Sequence, residues 1–170
     1  PEVHEAYISQ LLAAQRGADE VVVAFQGGEP TLMGIEFFAR TLELEAKYAA
    51  PGQVILNTLQ TNATLIDDEW AAFLAEHGFL VGVSIDGPEE VHDAYRVTRG
   101  GRGTFHQVME GLGHLRDAGV EWNALTTIHA ANEARGLARR RGWRALREVT
   151  LDPLADGPGI AHAGDPADRV

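Results

Sequence analysis

The residues able to do chemistry fall into four short clusters. Gln26-Gly27-Gly28-Glu29-Pro30 follows the apolar run 21–25, and Gln60-Thr61-Asn62 ends a second such run. Ser84 and Asp86 lie in SIDGP with Arg96 after HDAY, and Leu151 opens LDPL. Adjacent glycines serve a tight turn or a close backbone approach to a ligand. Glu29 reads equally as an acid at a helix start and as a functional carboxylate. Asp86 either bonds its own backbone in a turn or joins Glu29 as the carboxylate pair of a hydrolase. Ser84 interrupts an apolar stretch, so its hydroxyl needs a partner, either a ligand or a neighbouring carbonyl. Arg96 reads as a surface cation. The glycines lack G-x-G-x-x-G spacing and no Gly-Lys-Ser/Thr follows, so neither a dinucleotide fingerprint nor a Walker loop is present. There is no G-x-S-x-G elbow. The seven histidines contain no H-x-x-x-H pair, and His92, His106 and His114 fall where helix-surface residues belong, which speaks against a histidine metal site.

The elements that must position these clusters alternate. Helical apolar spacing covers 3–15, with Gly17 as the stop. The run 21–25 has the character of a buried parallel strand. A helix is expected over 34–48, a strand over 54–59, and a helix over 67–77 with acids in its first turn and Gly78 after it. A strand over 79–85, a short helix over 89–95 and the loop RGGRG follow. Thr104 is the expected N-cap of a helix over 104–118, and strands are expected at 121–128 and 145–151 around a helix at 132–143. From 155 the Pro, Gly and Asp content is that of a flexible end. This α-β alternation means βα units and a mostly parallel sheet, either doubly wound or a barrel. In such folds, sites form at the carboxyl ends of the strands. Here each of the five strands ends there in polar or turn-forming residues, including Thr127 and His129 after the fourth.

Composition narrows the class. The chain has 170 residues, 45% of them hydrophobic, enough for one domain with a real core. With 25 acidic residues against 14 Lys+Arg, the net charge of −11 opposes nucleic-acid binding through phosphate contacts. The chain has no cysteine, so it holds no disulfide and no thiolate metal site. No apolar run approaches the ~20 residues of a membrane span, and residues 1–20 read as an amphipathic helix rather than a signal peptide. A cytoplasmic location without membrane partners is therefore expected. A start at Pro1 rather than Met suggests a fragment or a processed product.

The stretches AFQGGEPTLMGIEFF, LQTNATLIDDEWAAFLAEHGFLVGVSIDGPEEVHDAYR, GTFHQVMEGLGHLRDAGVEWNAL and LDPL closely resemble the anaerobic sulfatase-maturing enzymes. These are radical S-adenosylmethionine (SAM) proteins of the group with a C-terminal SPASM-type domain. The resemblance covers about 21–132 and resumes at 151–154. It implies a partial (β/α)6 radical-SAM barrel over 1–154, with 155–170 as a tail or linker. The implied reaction oxidises a cysteine or serine of a client sulfatase peptide to formylglycine. It implies SAM and a [4Fe-4S] cluster as cofactors and a flavodoxin or ferredoxin as reductant. Gln26, Gly27, Gly28, Glu29 and Pro30 correspond to the motif that positions the SAM amino group. Ser84 and Arg96 correspond to further SAM contacts and Leu151 to a contact with its adenosyl portion. Gln60, Thr61 and Asn62 correspond to the rim that the client approaches.

The departures are specific. The family's C-x3-C-x2-C cluster loop follows its first barrel strand. This chain has no cysteine, and it is expected to begin after that loop, with its five strands as the second to sixth of the barrel. The catalytic aspartate and the cysteine-rich second domain have no counterpart here, so no catalytic base is named. Ala63 replaces the glycine usual in QTNG. Without thiolates the chain alone is expected to be inactive, with an open sheet edge. The alternatives are another SPASM-group peptide-modifying enzyme, an α/β hydrolase or isomerase using Glu29 and Asp86, and a SAM-binding fragment without chemistry.

Overall fold

The computed structural model describes residues 2–130 and 132. In chain order they form α1 (Glu2–Ala14), β1 (Glu20–Phe25), a 3-10 helix (Pro30–Met33), α2 (Ile35–Tyr48), β2 (Val54–Thr61), α3 (Asp68–Glu76), β3 (Leu80–Ser84), α4 (Glu89–His92), α5 (Phe105–Asp117) and β4 (Trp122–Leu125). The expected helix 132–143, strand 145–151 and tail from 155, with Leu151, lie outside the described residues. No described helix is long and apolar enough to cross a membrane.

The four strands are parallel and lie in the order β1-β2-β3-β4, with Phe25 opposite Leu59, Thr61 opposite Val83, and Val83 opposite Ala124. Alternation along each strand sorts the side chains onto two faces. Val21 and Val23 of β1, Leu59 of β2 and Val81 and Val83 of β3 are buried on one face. Against that face pack Ile8 and Leu12 of α1, Phe38 and Leu44 of α2, Trp70 and Leu74 of α3, and Val108, Leu112 and Leu115 of α5. The opposite face carries Val22, Leu56, Leu80 and Leu125, all partly exposed. It bounds an open concavity of about 250 Å³ lined by Ala24, Gln26, Thr58, Gln60, Gly82 and Asn123 among others. A doubly wound sheet reverses its strand order and covers both faces. Among the described residues the strand order is not reversed and the helices pack on one face, so of the two expected architectures they take the barrel type.

Rings form the middle of the core: Phe38 lies 4.9 Å from Phe25 and 5.4 Å from Trp70, centroid to centroid, in tilted and edge-on arrangements. One polar pair intrudes between α2 and β2, where Asn57 donates to the buried Glu45 carboxylate at 2.9 Å. Burial raises the Glu45 pKa, and that hydrogen bond partly offsets the rise.

Local chemistry explains most boundaries. The Asp67 carboxylate caps α3 by accepting the Trp70 amide at 2.9 Å. Thr104 is the N-cap residue of α5, as expected, but its side chain makes no capping bond. Asp93 supplies that bond: its Oδ1 accepts the amides of Thr104 and Phe105, each at 2.9 Å. One expectation needs correction. His92 is not a helix-surface residue but is completely buried, because the four-residue α4 lies against the start of α5 and sets the His92 ring 5.8 Å from Phe105.

The turn after β2 is held equally tightly. Ala63 is buried and sits at φ 57°, the left-handed region that disfavours a residue with a Cβ. Its backbone carbonyl lies directly against Gly111 of α5, so closely that a Cβ at 111 would collide with it. Two residues on, a Cβ at Gly113 would meet nothing within 4 Å. Two alanines in one helix therefore have opposite expected effects. Gly111→Ala should destabilise by about 1–3 kcal/mol through overpacking, whereas Gly113→Ala should stabilise by about 0.5–1 kcal/mol through backbone entropy. Urea denaturation of the two variants checks both signs.

Candidate functional site at the carboxyl edge of the sheet

After β1 the chain reverses through Gly27 at φ 100° and Gly28 at φ 61°, both in the left-handed region glycine tolerates best. Glu29 follows in extended backbone, and Pro30 opens the 3-10 helix. Of the two readings of Glu29, the structure contains the helix-start role: Oε1 accepts the Thr31 amide at 3.2 Å and the Thr31 hydroxyl at 2.7 Å. It also contains more. Oε1 accepts the Thr61 hydroxyl at 2.7 Å, and Oε2 accepts the Asn62 amide at 2.8 Å. The carboxylate thus ties the end of β1 to the end of β2.

The residues of QTN point to different places. Gln60 is exposed and lines the open concavity. Thr61 is buried, donates to Glu29 and accepts the Ala63 amide at 3.0 Å. Asn62 turns its Oδ1 onto the Thr64 amide and hydroxyl at 2.9 and 2.7 Å. Sequence spacing alone could not separate these roles. The signal that bears on them is strand parity, which puts 59 and 61 on one face and 60 on the other.

Ser84, at the end of β3, is on the open face. Its hydroxyl makes no hydrogen bond among the described residues. Asp86 does not simply bond its own turn. It is 3% exposed and forms a two-pronged pair with Arg96, Nε to Oδ2 at 2.6 Å and Nη2 to Oδ1 at 3.1 Å. Oδ1 also accepts the Thr127 amide at 2.9 Å, and His129 Nε2 lies 3.6 Å from Oδ2. Arg96 is accordingly an anchored cation at the rim rather than a loose surface charge. The buried Asn132 braces the same corner, donating to the Thr127 carbonyl at 2.8 Å and accepting the His129 amide at 2.8 Å. The backbone amide of Asp86 points at His92 Nδ1 at 3.4 Å, His92 Nε2 meets the Thr104 hydroxyl at 3.1 Å, and that hydroxyl donates to the Arg96 carbonyl at 2.9 Å. This circuit is satisfied only when His92 is neutral and carries its proton on Nε2.

Burial opposes ionisation of Asp86, but Arg96, the Thr127 amide and His129 outweigh it and hold the carboxyl below the usual carboxylate range. Burial, helped by the Arg96 charge and opposed by Asp86 and Asp93, pushes the His92 pKa down. A carboxylate locked to arginine is a poor proton donor, and Glu29 already accepts four hydrogen bonds. The arrangement therefore does not favour a Glu29–Asp86 hydrolytic pair.

The family model of the radical SAM superfamily matches residues 2–136. The chain belongs to the radical SAM superfamily. Within it, the chain is 41% identical over 131 residues to the serine-type anaerobic sulfatase-maturating enzyme of Bacteroides thetaiotaomicron, covering 77% of this chain and 31% of that protein. It is 38% identical over 164 residues to the cysteine-type anaerobic sulfatase-maturating enzyme of Clostridium perfringens, covering 93% of this chain and 44% of that one. The solved structure of native anSMEcpe with bound AdoMet and Cp18Cys peptide matches with a TM-score of 0.80 at 37% identity, over 85% of this chain and 40% of that one. The chain thus spans less than half the length of each of these relatives.

Acid should loosen this rim in two stages. His92 binds fewer protons folded than unfolded, so its contribution is complete above about pH 6.5 and is lost as pH falls toward its lowered folded value. Asp86 contributes above about pH 4 and loses that contribution as pH falls through its own depressed value. Denaturant titrations across pH 8 to 3 should show both limbs. His92→Gln should flatten the upper limb. Asp86→Asn should cost roughly 1.5–3 kcal/mol at neutral pH and remove the lower one.

Proposed function

We propose that the carboxyl edge of this sheet binds SAM and that the chain is the SAM-binding part of an anaerobic sulfatase maturase. The observation that carries this reading is the Glu29 carboxylate. It is presented by a double-glycine reversal at the rim, with Oε1 engaged by three donors and Oε2 by one. A carboxylate oxygen has two lone pairs, so Oε2 keeps capacity for an ammonium group. The carbonyls of Gln26, Gly27 and Gly28, with Pro30 fixing the turn, are assigned to the rest of the ammonium cradle. The Ser84 hydroxyl, on the open face by strand parity, is assigned to a further SAM contact. Arg96 spends Nε and Nη2 on Asp86 and offers Nη1 to a carboxylate in a fixed orientation. Leu151 is assigned to the adenosyl portion, and Gln60, with Thr61 and Asn62 behind it, to the client side of the rim. We read 1–154 as barrel and 155–170 as linker.

When bound and reduced, SAM supplies the hydrogen-abstracting power of this superfamily. The residues described here bind it, orient it and keep it at the mouth of the concavity. They do not fit a [4Fe-4S] cluster, because the chain has no cysteine, and no step through a cluster is assigned to them. For the whole protein, the relatives' names support a client sulfatase peptide whose cysteine or serine becomes formylglycine. The low-potential reduction this requires fits a flavodoxin or ferredoxin partner in the cytoplasm.

Equilibrium dialysis of the 170-residue chain with labelled SAM tests the binding reading. Saturable binding is expected, and Glu29→Gln should weaken it by about ten- to a hundredfold, the equivalent of roughly 1.5–3 kcal/mol for a charge-assisted hydrogen bond. Absence of binding by the unaltered chain overturns the reading. The activity is tested on a polypeptide joining these residues to a cluster-ligating cysteine motif, given SAM, a reductant and a sulfatase-derived peptide under anaerobic conditions. The expected product is an aldehyde-bearing peptide captured by a hydrazide, and an unmodified peptide despite SAM cleavage would exclude the sulfatase substrate.

A further inference from the structure

The Glu29 carboxylate is oriented from outside its own loop. Its loop supplies Thr31, but two of its four donors, the Thr61 hydroxyl and the Asn62 amide, come from the end of β2. Thr61 is buried and is fixed opposite Val83 by the pairing of β2 with β3. Its hydroxyl has no freedom of direction. The Ala63 amide, aimed by the left-handed turn, donates to Thr61 Oγ1 at 3.0 Å, so the Thr61 proton is left to point at Glu29 Oε1, 2.7 Å away. With the two bonds from Thr31 it occupies Oε1, and Oε2 carries a single donor, the Asn62 amide.

We infer that Thr61 is a positioning residue for the ammonium site: it holds Glu29 in the rotamer that presents Oε2 to the methionine end of SAM. The inference rests on the SAM reading above and deepens it. An unrestrained glutamate side chain loses rotamer freedom on capturing a ligand. Thr61 removes that loss in advance, so its hydroxyl matters for affinity without contacting the ligand.

The test compares two ligands on the 170-residue chain. SAM carries the ammonium and carboxylate, and 5′-methylthioadenosine keeps the adenosine and sulfur but has neither. Thr61→Val should weaken SAM binding by about tenfold, the scale of one hydrogen bond to a charged group. It should leave methylthioadenosine binding unchanged, and Thr61→Ser, which keeps the hydroxyl, should restore SAM affinity. In a Glu29→Gln background Thr61→Val should cost nothing further. Equal weakening of both ligands, unchanged SAM affinity in Thr61→Val, or failure of serine to restore it overturns the inference. If the valine variant lacks native circular dichroism, Thr61→Ala takes its place, and loss of fold in both makes Thr61 a folding residue and ends the proposal. Failure of the unaltered chain to bind SAM is a different result and removes the reading on which this one rests.

Discussion

Ionised carboxylates at the edge of a protein core must be surrounded by donors, and the rim of this sheet is organised by meeting that requirement twice. Glu29 collects donors from its own 3-10 helix and from the end of β2. Asp86 collects them from Arg96 and from Thr127 beyond β4. Each carboxylate thereby joins strand ends that the sheet's own hydrogen bonds leave unfixed. The open face and its concavity then have a defined mouth, because two charged anchors tie the loops around it to one another in addition to the contacts within each loop.

Arg96 illustrates why a buried ion pair has value at a site even where its net contribution to stability is small. Its planar guanidinium is held on one side by Asp86, so the remaining donor is presented without a search through rotamers. The circuit from Asp86 through His92 and Thr104 to the Arg96 carbonyl fixes the backbone that carries it. Glu29 and Arg96 are thus alike in being charged groups fixed by partners from another segment, Thr61 and Asn62 for the one and Asp86 for the other.

Much of this was legible in the sequence, and the rest was hidden for identifiable reasons. The apolar runs 21–25, 54–59 and 79–85 and the acidic start of α3 revealed the βα alternation. The position of the polar clusters at strand ends placed the rim. What sequence could not show was which face the described helices leave open, since that depends on their packing together on one side of the sheet. It misjudged His92 because a four-residue helix has no periodicity to read. It placed the α5 cap position at Thr104 but could not show that Asp93, eleven residues earlier, supplies the capping carboxylate, because the two meet only through the fold. Asp86 looked like a turn residue because its partners, Arg96 and Thr127, are distant in sequence. Gln60, Thr61 and Asn62 looked like one motif because contiguity hides the alternation that sends them to different neighbours.

The contact between Gly111 and the turn after β2 has a consequence for how this region can change over evolutionary time. The atom that excludes a side chain at 111 is the backbone carbonyl of Ala63, not its methyl group. No replacement at 63 that keeps the turn can therefore release 111. A substitution at 111 is tolerated only by a chain that has reshaped the turn, and with it the Ala63 amide that orients Thr61. A helix on the far face of the sheet thus carries a veto over drift in the rim, through a position where no side chain is present at all.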